Sequence, residues 1–436
     1  MRKQKGLTAG KLTLMALGSV VGGSFFIGSS IAINAAGPAV LISYILSGIL
    51  VYIILFALSE MTVANPDSGS FSTFAENEFG PAIGFIVGWV YWTGITLAMS
   101  SETVAVSILI REWVDIPLIL IGSIIIIIST VLNLLGAEKL SRLENSLASI
   151  KLIAIVSFIL IGIALIIGVF DKPAVGFKVI TNEPLMPSGI GGIAGSTLLV
   201  MLSYAGFEII GLAASETYDT YRTIPKSINA TLISLLSLYL LSVIVIIFLI
   251  PTDVLTEDTS PLVFALVRWG LDWVADIINL VLVTAILSTI LASMFSLGRM
   301  IRSLADKNHA PSWLKDKGDI PYKGIIFSGF SMLIFLFLSF ILPAEVYRFL
   351  ASSGGYSLLF TYLVILLTHY RFRKKKGCPP EGKCQLLGYP YTSYIAIVGI
   401  VIIIISMPLV RGQGYGLLAG ISFTILYAIL YLVKSH

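Results

Sequence analysis

The chain has 436 residues, of which 57% are apolar and 12% are charged, whereas about a quarter of the residues in a typical soluble domain are charged. This composition excludes a soluble globular protein, because a soluble core of this size needs far more charge around it. The formal net charge is only +4, and no basic patch is interleaved with aromatic residues, so nothing in the sequence indicates a nucleic-acid partner.

Twelve apolar segments follow one another along the chain, and each is long enough to cross roughly 30 Å of hydrocarbon as a helix. A lipid-facing strand would alternate apolar and polar residues, whereas residues 119–130 are almost continuously apolar. The sequence therefore predicts an all-α polytopic membrane protein with twelve transmembrane helices in a lipid bilayer. The predicted spans cover approximately residues 12–34, 39–62, 82–109, 117–136, 146–170, 189–215, 228–250, 272–303, 325–342, 346–369, 391–408 and 415–433.

Loop charge predicts the orientation, because lysine and arginine are retained on the cytoplasmic side of a membrane. With twelve spans, 21 of the 28 lysines and arginines fall on the side of the N-terminus and six on the other side, and Lys151 remains inside the bilayer. We therefore expect both termini in the cytoplasm.

Two clusters of small residues interrupt predicted helices. The first is GSVVGGSFFIG at residues 18–28 in span one, and the second is LSYAGFEIIG at residues 202–211 in span six. One such cluster commonly serves helix packing, but two clusters in corresponding positions of successive five-helix units indicate an inverted-repeat transporter. Spans one to five would then be repeated as six to ten, with two further helices, and with units at residues 1–170, 171–370 and 371–436.

Six motifs point to a known family. They are VVGGSFFIG in span one, NPDSGSFSTFA after span two, ENSLASIK ending at Lys151, SYAGFEIIGLAASE in span six, IPKSIN from Ile224 and SLGRMIRSLA at the end of span eight. In these motifs, over about residues 8–376, the chain resembles the amino-acid permeases of the amino acid, polyamine and organocation superfamily, close to its bacterial branch. The resemblance implies a carrier of amino acids in the cell membrane.

The resemblance also implies a substrate site at the two breaks, and the chemistry of an amino acid fits them. A carboxylate in a region of low dielectric needs directed donors, which the free N–H groups at the start of a helix provide. We expect Gly22, Gly23 and Ser24 to bind it, although the family often has GTG or GSG there, so Ser24 either narrows the site or adds a hydroxyl. We expect the ammonium to meet the carbonyl oxygens of Ser19, Val20, Leu202 and Ser203, with that of Ala205 as a further candidate. The remaining site residues are Tyr204, Gly206 and Phe207.

Lys151 lies about five residues into span five. It either snorkels to the cytoplasmic surface or faces a partner inside the protein, since an isolated charge at this depth is costly. The resemblance implies a built-in cation at the place where sodium-coupled relatives of the same architecture bind Na⁺. We therefore expect alternating-access symport of an L-amino acid with a proton, and obligatory amino-acid exchange is the alternative.

Glu102 is the charged residue of span three, and its role stays open. It binds a proton, contacts the substrate, braces Lys151 or a backbone amide, or makes a purely structural hydrogen bond. Because the predicted pocket holds no other fixed charge, we expect a neutral substrate, and a cationic substrate paired with Glu102 is the alternative. Thr289 and Ser293 lie at i and i+4 on span eight, and we place both near Lys151.

The remaining polar residues suggest no enzyme, metal or cofactor site. Glu208 either caps the second half of span six or couples its break to a neighbouring helix, and Glu60 and Glu216 belong to the inner gate or to interfacial hydrogen bonds. None of the three histidines is expected to pair with a carboxylate: these are His309, His369 and His436. Cys378 and Cys384 are a chance pair of reduced thiols or an adventitious metal or redox site.

Two functions of other classes also fit twelve helices. A channel should contain a repeated pore ring or filter sequence, and the sequence has none. A non-transporting scaffold would need neither matched helix breaks nor a lysine within a span.

Overall fold

Helices make up almost all of the regular structure in this computed structural model. It describes residues 7–65, 70–169, 178–212, 217, 219–256, 258–316, 318, 320–341, 346–378, 385–410 and 412–435. Within these ranges there are 18 α-helices and, in place of strands, a single isolated bridge between Leu7 and Thr217. Glu216, Cys384 and His436 lie outside the described residues, so their predicted roles are not addressed by the structure.

The first five spans contain one broken helix. Span one is divided into three short helices, and spans two to five are single helices, with a short helix between spans two and three. In chain order they are α1 (Ala9–Val20), α2 (Gly23–Phe26), α3 (Gly28–Ala36), α4 (Val40–Ala64), α5 (Ser70–Phe79), α6 (Pro81–Arg111), α7 (Leu118–Asn133) and α8 (Ala137–Ile167).

The second five spans also begin with a broken helix. Span six is divided into α10 and α11, and short helices precede spans six and eight. In chain order the helices are α9 (Lys178–Thr181), α10 (Gly189–Ser203), α11 (Ile209–Leu212), α12 (Thr220–Leu249), α13 (Pro261–Arg268), α14 (Asp272–Asp306), α15 (Tyr322–Ile341) and α16 (Val346–Lys376), followed by α17 (Tyr391–Ser406) and α18 (Gln413–Ser435).

The helices confirm the predicted all-α membrane fold. Eight segments of the described chain are long and apolar enough to span a membrane, and four shorter apolar helices fall at the other predicted spans. Span three is central, since 83% of its most apolar window is buried, whereas 11% is buried in span twelve. Exposed side chains of the outer helices are large and apolar, among them Ile395, Ile405 and Leu418, as expected for a surface that faces lipid.

Two sets of helices meet around the breaks. The broken-helix group consists of α1, α4, α10 and α12, in which α4 packs against α10 and α12, and α12 packs against α1. The span-three group consists of α6, α14, α15 and α16, in which α6 packs against the other three. The approach of α6 to α16 is close, since a Cβ atom added at Gly354 would lie 2.9 Å from the carbonyl oxygen of Gly94. α16 also contacts α4 and α10, so it lies at the boundary of the two groups.

Candidate substrate and coupling site

The break in span one is two residues long. α1 ends at Val20, the next residues Val21 (φ −73°, ψ 104°) and Gly22 (φ −148°, ψ −163°) are extended, and α2 begins at Gly23. The first N–H groups of a helix have no partner within that helix. The break therefore presents backbone donors at the start of α2 within the buried centre of the protein, where the sequence analysis places the substrate carboxylate.

The protein's own Glu102 occupies these donors. Gly23 N donates to Glu102 Oε2 over 2.5 Å, Ser24 N donates to Oε1 over 2.7 Å, and the Ser24 hydroxyl also donates to Oε1. A Cβ atom added at Gly22 or Gly23 would lie 3.1 or 2.7 Å from Oε2, so the small residues allow this approach. Of the roles left open for Glu102, the structure shows the bracing of backbone amides.

Lys151 lies on the other side of the break. Its side chain is buried, and its Nζ donates to Gly18 O over 2.6 Å and to Val21 O over 2.9 Å, with Ala285 O and Thr289 Oγ1 each at 3.3 Å. Lys151 therefore does not snorkel in this conformation. Its ammonium sits among four oxygens, as a bound cation would.

The span-eight hydroxyls differ in position. Thr289 Oγ1 donates to Val21 O over 3.2 Å, so it touches both the break and Lys151. Ser293 lies one turn further along α14 and is partly exposed.

The two charges match the two helix ends that meet at the break. The C-terminal end of a helix carries a partial negative charge and the N-terminal end a partial positive charge. The ammonium of Lys151 lies at the end of α1, and the carboxylate of Glu102 lies at the start of α2. Each charge is therefore stabilised by the dipole that it faces, as well as by hydrogen bonds.

The break in span six is a turn between Ser203 and Ile209. Gly206 has a φ of 102°, which favours glycine, and its N–H donates to Glu208 Oε2 over 2.8 Å. The buried Glu208 also accepts from the Tyr362 hydroxyl over 2.7 Å, and the Phe207 ring stacks on Tyr362 with the ring centres 5.1 Å apart. Glu208 thus both caps the turn and joins it to α16.

The two breaks touch each other. Ser19 Oγ donates to Gly206 O over 3.0 Å, and Ser203 Oγ donates to Ser24 O over 2.9 Å. A Cβ atom added at Gly206 would lie 3.0 Å from Ser19 O, so the backbones are in close contact. A movement of one broken helix must therefore either displace the other or break these contacts.

Some predicted ammonium acceptors already have donors. Ser203 O accepts from the Tyr239 hydroxyl over 2.9 Å, and Leu202 O accepts from Ala205 N over 3.0 Å. Val20 is buried beside the break, and Ala205 is partly exposed. A substrate ammonium would have to share or replace the donors to Ser203 O and Leu202 O.

Tyr204 points into an aromatic cluster. Its hydroxyl donates to Tyr44 O over 3.3 Å, and its ring contacts Tyr239 edge to face with the centres 5.3 Å apart. Phe25, directly after Ser24, stacks on Tyr239 with the centres 4.1 Å apart. These aromatic residues support both breaks from the side of α4 and α12.

Two residues of the site were not predicted from the sequence, Tyr239 and Tyr362. Each hydroxyl binds a polar group of the span-six break. The available signal was a tyrosine within a predicted span, since a buried tyrosine hydroxyl usually needs a partner. Tyr239 is the one tyrosine of span seven, whereas Tyr362 is one of three tyrosines in span ten. That signal does not say which partner.

The expectation that no histidine pairs with a carboxylate is wrong. His369 Nε2 lies 2.6 Å from Glu60 Oε2, and His309 Nε2 lies 3.8 Å from Glu76 Oε1. These pairs could not be predicted from the sequence, because each carboxylate belongs to a helix that is distant from its histidine along the chain. Burial lowers the pKa of His309 despite the neighbouring Glu76, which favours its neutral form. Cys378 is not a free thiol but is disulfide-bonded, and its Sγ is contacted by Arg373.

The family model described as amino acid permease matches residues 11–434. The chain belongs to the amino acid permease family. This confirms the predicted resemblance and makes the permease a multi-pass membrane protein of amino-acid transport, and not an enzyme.

Curated relatives match nearly the whole permease. It is 32% identical to YtnA, an uncharacterized amino acid permease of Bacillus subtilis (strain 168), over 99% of this chain and 96% of that protein. It is 31% identical to the gamma-aminobutyric acid permease of the same organism, over 99% of this chain and 93% of that protein. It is 30% identical to the gamma-aminobutyric acid permease of Escherichia coli (strain K12), over 92% and 88% of the two chains.

Solved structures share the fold at low sequence identity. A manganese transporter of Eremococcus coleocola in complex with an aromatic bis-isothiourea substituted compound aligns with a TM-score of 0.57 at 14% identity, over 97% of this chain and 94% of that chain. A histidine-to-alanine mutant of that transporter aligns with a TM-score of 0.60 at 13% identity over the same shares. These matches support the transporter fold of broken helices.

Proposed function

We propose that this permease is a secondary transporter that carries a zwitterionic amino acid with a proton by alternating access. The observation that carries the proposal is the carboxylate of Glu102 on the backbone donors of Gly23 and Ser24. These donors are built for a carboxylate, and a transported amino acid brings one.

Glu102 and the substrate carboxylate would compete for the same donors. Two carboxylates at one helix end repel each other strongly in a region of low dielectric, so they cannot both be bound there in the charged form. A proton on Glu102 removes its charge and releases the start of α2 to the substrate. Substrate binding then requires a proton, which is the coupling that symport needs.

Lys151 supplies the positive charge that a metal ion would otherwise supply. Its ammonium holds Gly18 O and Val21 O at the end of α1. A second cation at this place would be repelled, so transport needs no Na⁺. Lys151 can also favour one conformation over the other, provided that its contacts with the α1 carbonyls change during the cycle.

The charge balance of the site favours a substrate without net charge. Once Glu102 is protonated, two ionisable groups remain at the breaks. The ammonium of Lys151 has its oxygens provided by the protein, and the carboxylate of Glu208 has its donors provided by Gly206 N and the Tyr362 hydroxyl. Their opposite charges offset each other. Two relatives are gamma-aminobutyric acid permeases. γ-Aminobutyrate is zwitterionic like a neutral α-amino acid, so both classes belong in the first substrate panel.

Uptake by purified protein in proteoliposomes tests the proposal. With an inward proton gradient, labelled neutral amino acids or γ-aminobutyrate should accumulate, and unlabelled competitors should rank the substrates. Replacement of Na⁺ by choline should change nothing. An absence of saturable uptake and counterflow for every zwitterion tested would refute the proposal, and uptake only in exchange for internal amino acid would establish the obligatory exchanger instead.

The Ser24 hydroxyl should affect the competition between Glu102 and the substrate carboxylate for the donors of α2. It holds the same Glu102 oxygen as the Ser24 amide. Ser24→Ala should therefore weaken the binding of the Glu102 carboxylate to the start of α2. We expect the half-saturating substrate concentration to fall by about tenfold, a factor that corresponds to the loss of one hydrogen bond to a charged group. Ser24→Thr keeps a hydroxyl and is the control. A weaker rather than stronger affinity in Ser24→Ala would show that this hydroxyl binds the substrate.

The proposed orientation in the cell membrane can be tested by cysteine labelling. In a Cys378→Ser, Cys384→Ser background, an impermeant maleimide added to intact cells should label Lys178→Cys and should not label Lys375→Cys until the membrane is opened. Lys178 begins α9, and Lys375 lies in the last turn of α16, beyond the predicted span of residues 346–369. The opposite pattern would place the termini outside the cell.

A further inference from the structure

A buried ionic cluster joins the C-terminal parts of α4 and α16. Glu60, near the end of α4, accepts from Gln385 N over 2.6 Å and Leu386 N over 2.7 Å at Oε1. Its Oε2 lies 2.6 Å from His369 Nε2 and 3.6 Å from Arg373 Nε. The side chains of Glu60 and His369 are both 0% exposed. Every oxygen of this buried carboxylate is thus engaged, as a buried charge requires.

Arg373 adds a second set of contacts to the same place. Its Nη1 donates to Leu386 O over 3.2 Å, and its guanidinium lies over the Tyr389 ring, 4.5 Å from the ring centre. Ser59 Oγ, the neighbour of Glu60, donates to Gln385 Oε1 over 2.6 Å. Residues from α4, from α16 and from the segment before α17 therefore converge on one carboxylate.

The cluster crosses the boundary between the two sets of helices. Glu60 belongs to α4 of the broken-helix group, whereas His369 and Arg373 belong to α16 of the span-three group. α4 packs directly against α10, which ends at the span-six break. A relative movement of the two groups at this end must stretch or break the contacts of Glu60.

We infer that Glu60, His369 and Arg373 form a latch that holds α4 against α16 in the observed conformation and opens during transport. They are positioning residues, since none of them contacts the breaks. The latch is effective because it is buried: water cannot replace the donors of Glu60 as the helices begin to part, so the two conformations differ in these contacts. Only such a difference can shift the population of the two conformations. The inference rests on the alternating access of the proposed function.

Reactivity of a cysteine beside the break can report the latch without any substrate. Ala205 is partly exposed next to Gly206, so Ala205→Cys serves as the reporter. The native cysteines are kept, because the disulfide-bonded Cys378 does not react with a maleimide and its Sγ contacts Arg373 of the latch. Asn34→Cys, at the opposite end of span one and exposed, serves as the second reporter. Purified protein is treated with a water-soluble maleimide, and the rate of modification is followed at each position.

We expect Glu60→Gln and His369→Phe to change the labelling rate at position 205 by tenfold or more, with the rate at position 34 changing by less than twofold or in the opposite direction. Arg373→Lys, which keeps the charge, should have a smaller effect. Glu78→Gln is the matched control, because Glu78 Oε2 lies 2.8 Å from Lys375 Nζ at the same end but joins α5, not α4, to α16.

Unchanged labelling at position 205 in both latch variants would overturn the inference. So would equal acceleration at both positions, since that indicates general loosening or unfolding. Because the measurement uses no substrate, a permease that fails to transport any zwitterion but shows the expected labelling would refute the proposed function and leave the latch standing.

Discussion

Replacing Lys151 by methionine is expected to reduce substrate uptake by roughly 100-fold while changing equilibrium substrate binding by only a few-fold. Methionine keeps much of the side-chain volume but donates to neither oxygen, so Gly18 O loses its Lys151 donor and Val21 O keeps the hydroxyl of Thr289. An unpaired buried acceptor costs about 1–3 kcal/mol and a lost hydrogen bond to a charged group about 1.5–3 kcal/mol, and about 3 kcal/mol of differential stabilisation corresponds to roughly 100-fold in rate.

The comparison variant for Lys151 is Lys11→Met, which removes an exposed lysine from the opposite, N-terminal end of α1. Uptake, counterflow and binding are measured on the same preparations. Wild-type uptake and pH response in Lys151→Met would mean that this ammonium is dispensable for coupling. A steep Na⁺ dependence of the wild-type permease would mean that the ammonium does not replace a metal ion.

The second large effect is expected at Glu102. Glu102→Gln cannot take up or release a proton, so accumulation driven by a proton gradient should fall to the level of passive equilibration. Because the neutral side chain also ceases to compete as an anion for the donors of Gly23 and Ser24, substrate exchange should persist and lose its dependence on pH. This pattern separates uncoupling from simple loss of the site.

Glu112→Gln is the control for Glu102→Gln, since Glu112 is an exposed carboxylate just beyond the end of the same helix. It should behave like the wild type. If Glu102→Gln protein still accumulates substrate against its gradient when only a proton gradient is applied, the coupling carboxylate lies elsewhere, and Glu208 would be the next residue to test.

The sequence was most informative about features that depend on residues close together along the chain. The glycine clusters of spans one and six predicted both breaks, because non-helical backbone within a membrane survives only where protein or a cavity surrounds it. The position of Lys151 within an apolar span indicated either a buried partner or snorkelling, and the family resemblance favoured the first. The helices themselves were predictable from the lengths of the apolar segments.

The sequence was least informative about pairs formed between distant helices. Glu102 meets donors 79 residues away in the chain, and His369 meets a carboxylate 309 residues away. Helical periodicity places a residue on a face but does not say which helix that face meets. For the same reason the partners of Tyr239 and Tyr362 could not be read from their spans. The structure was needed to show that a protein carboxylate occupies the place predicted for the substrate carboxylate.

Proton uptake on substrate binding tests the central claim most directly. Purified permease in detergent is mixed with a saturating substrate in weakly buffered solution near neutral pH, and a pH indicator counts the protons taken up. Competition between the substrate and Glu102 predicts uptake of about one proton for each substrate bound, by the linkage of binding and protonation, and none in Glu102→Gln. Saturable substrate binding by the wild-type protein with no proton uptake would contradict the account.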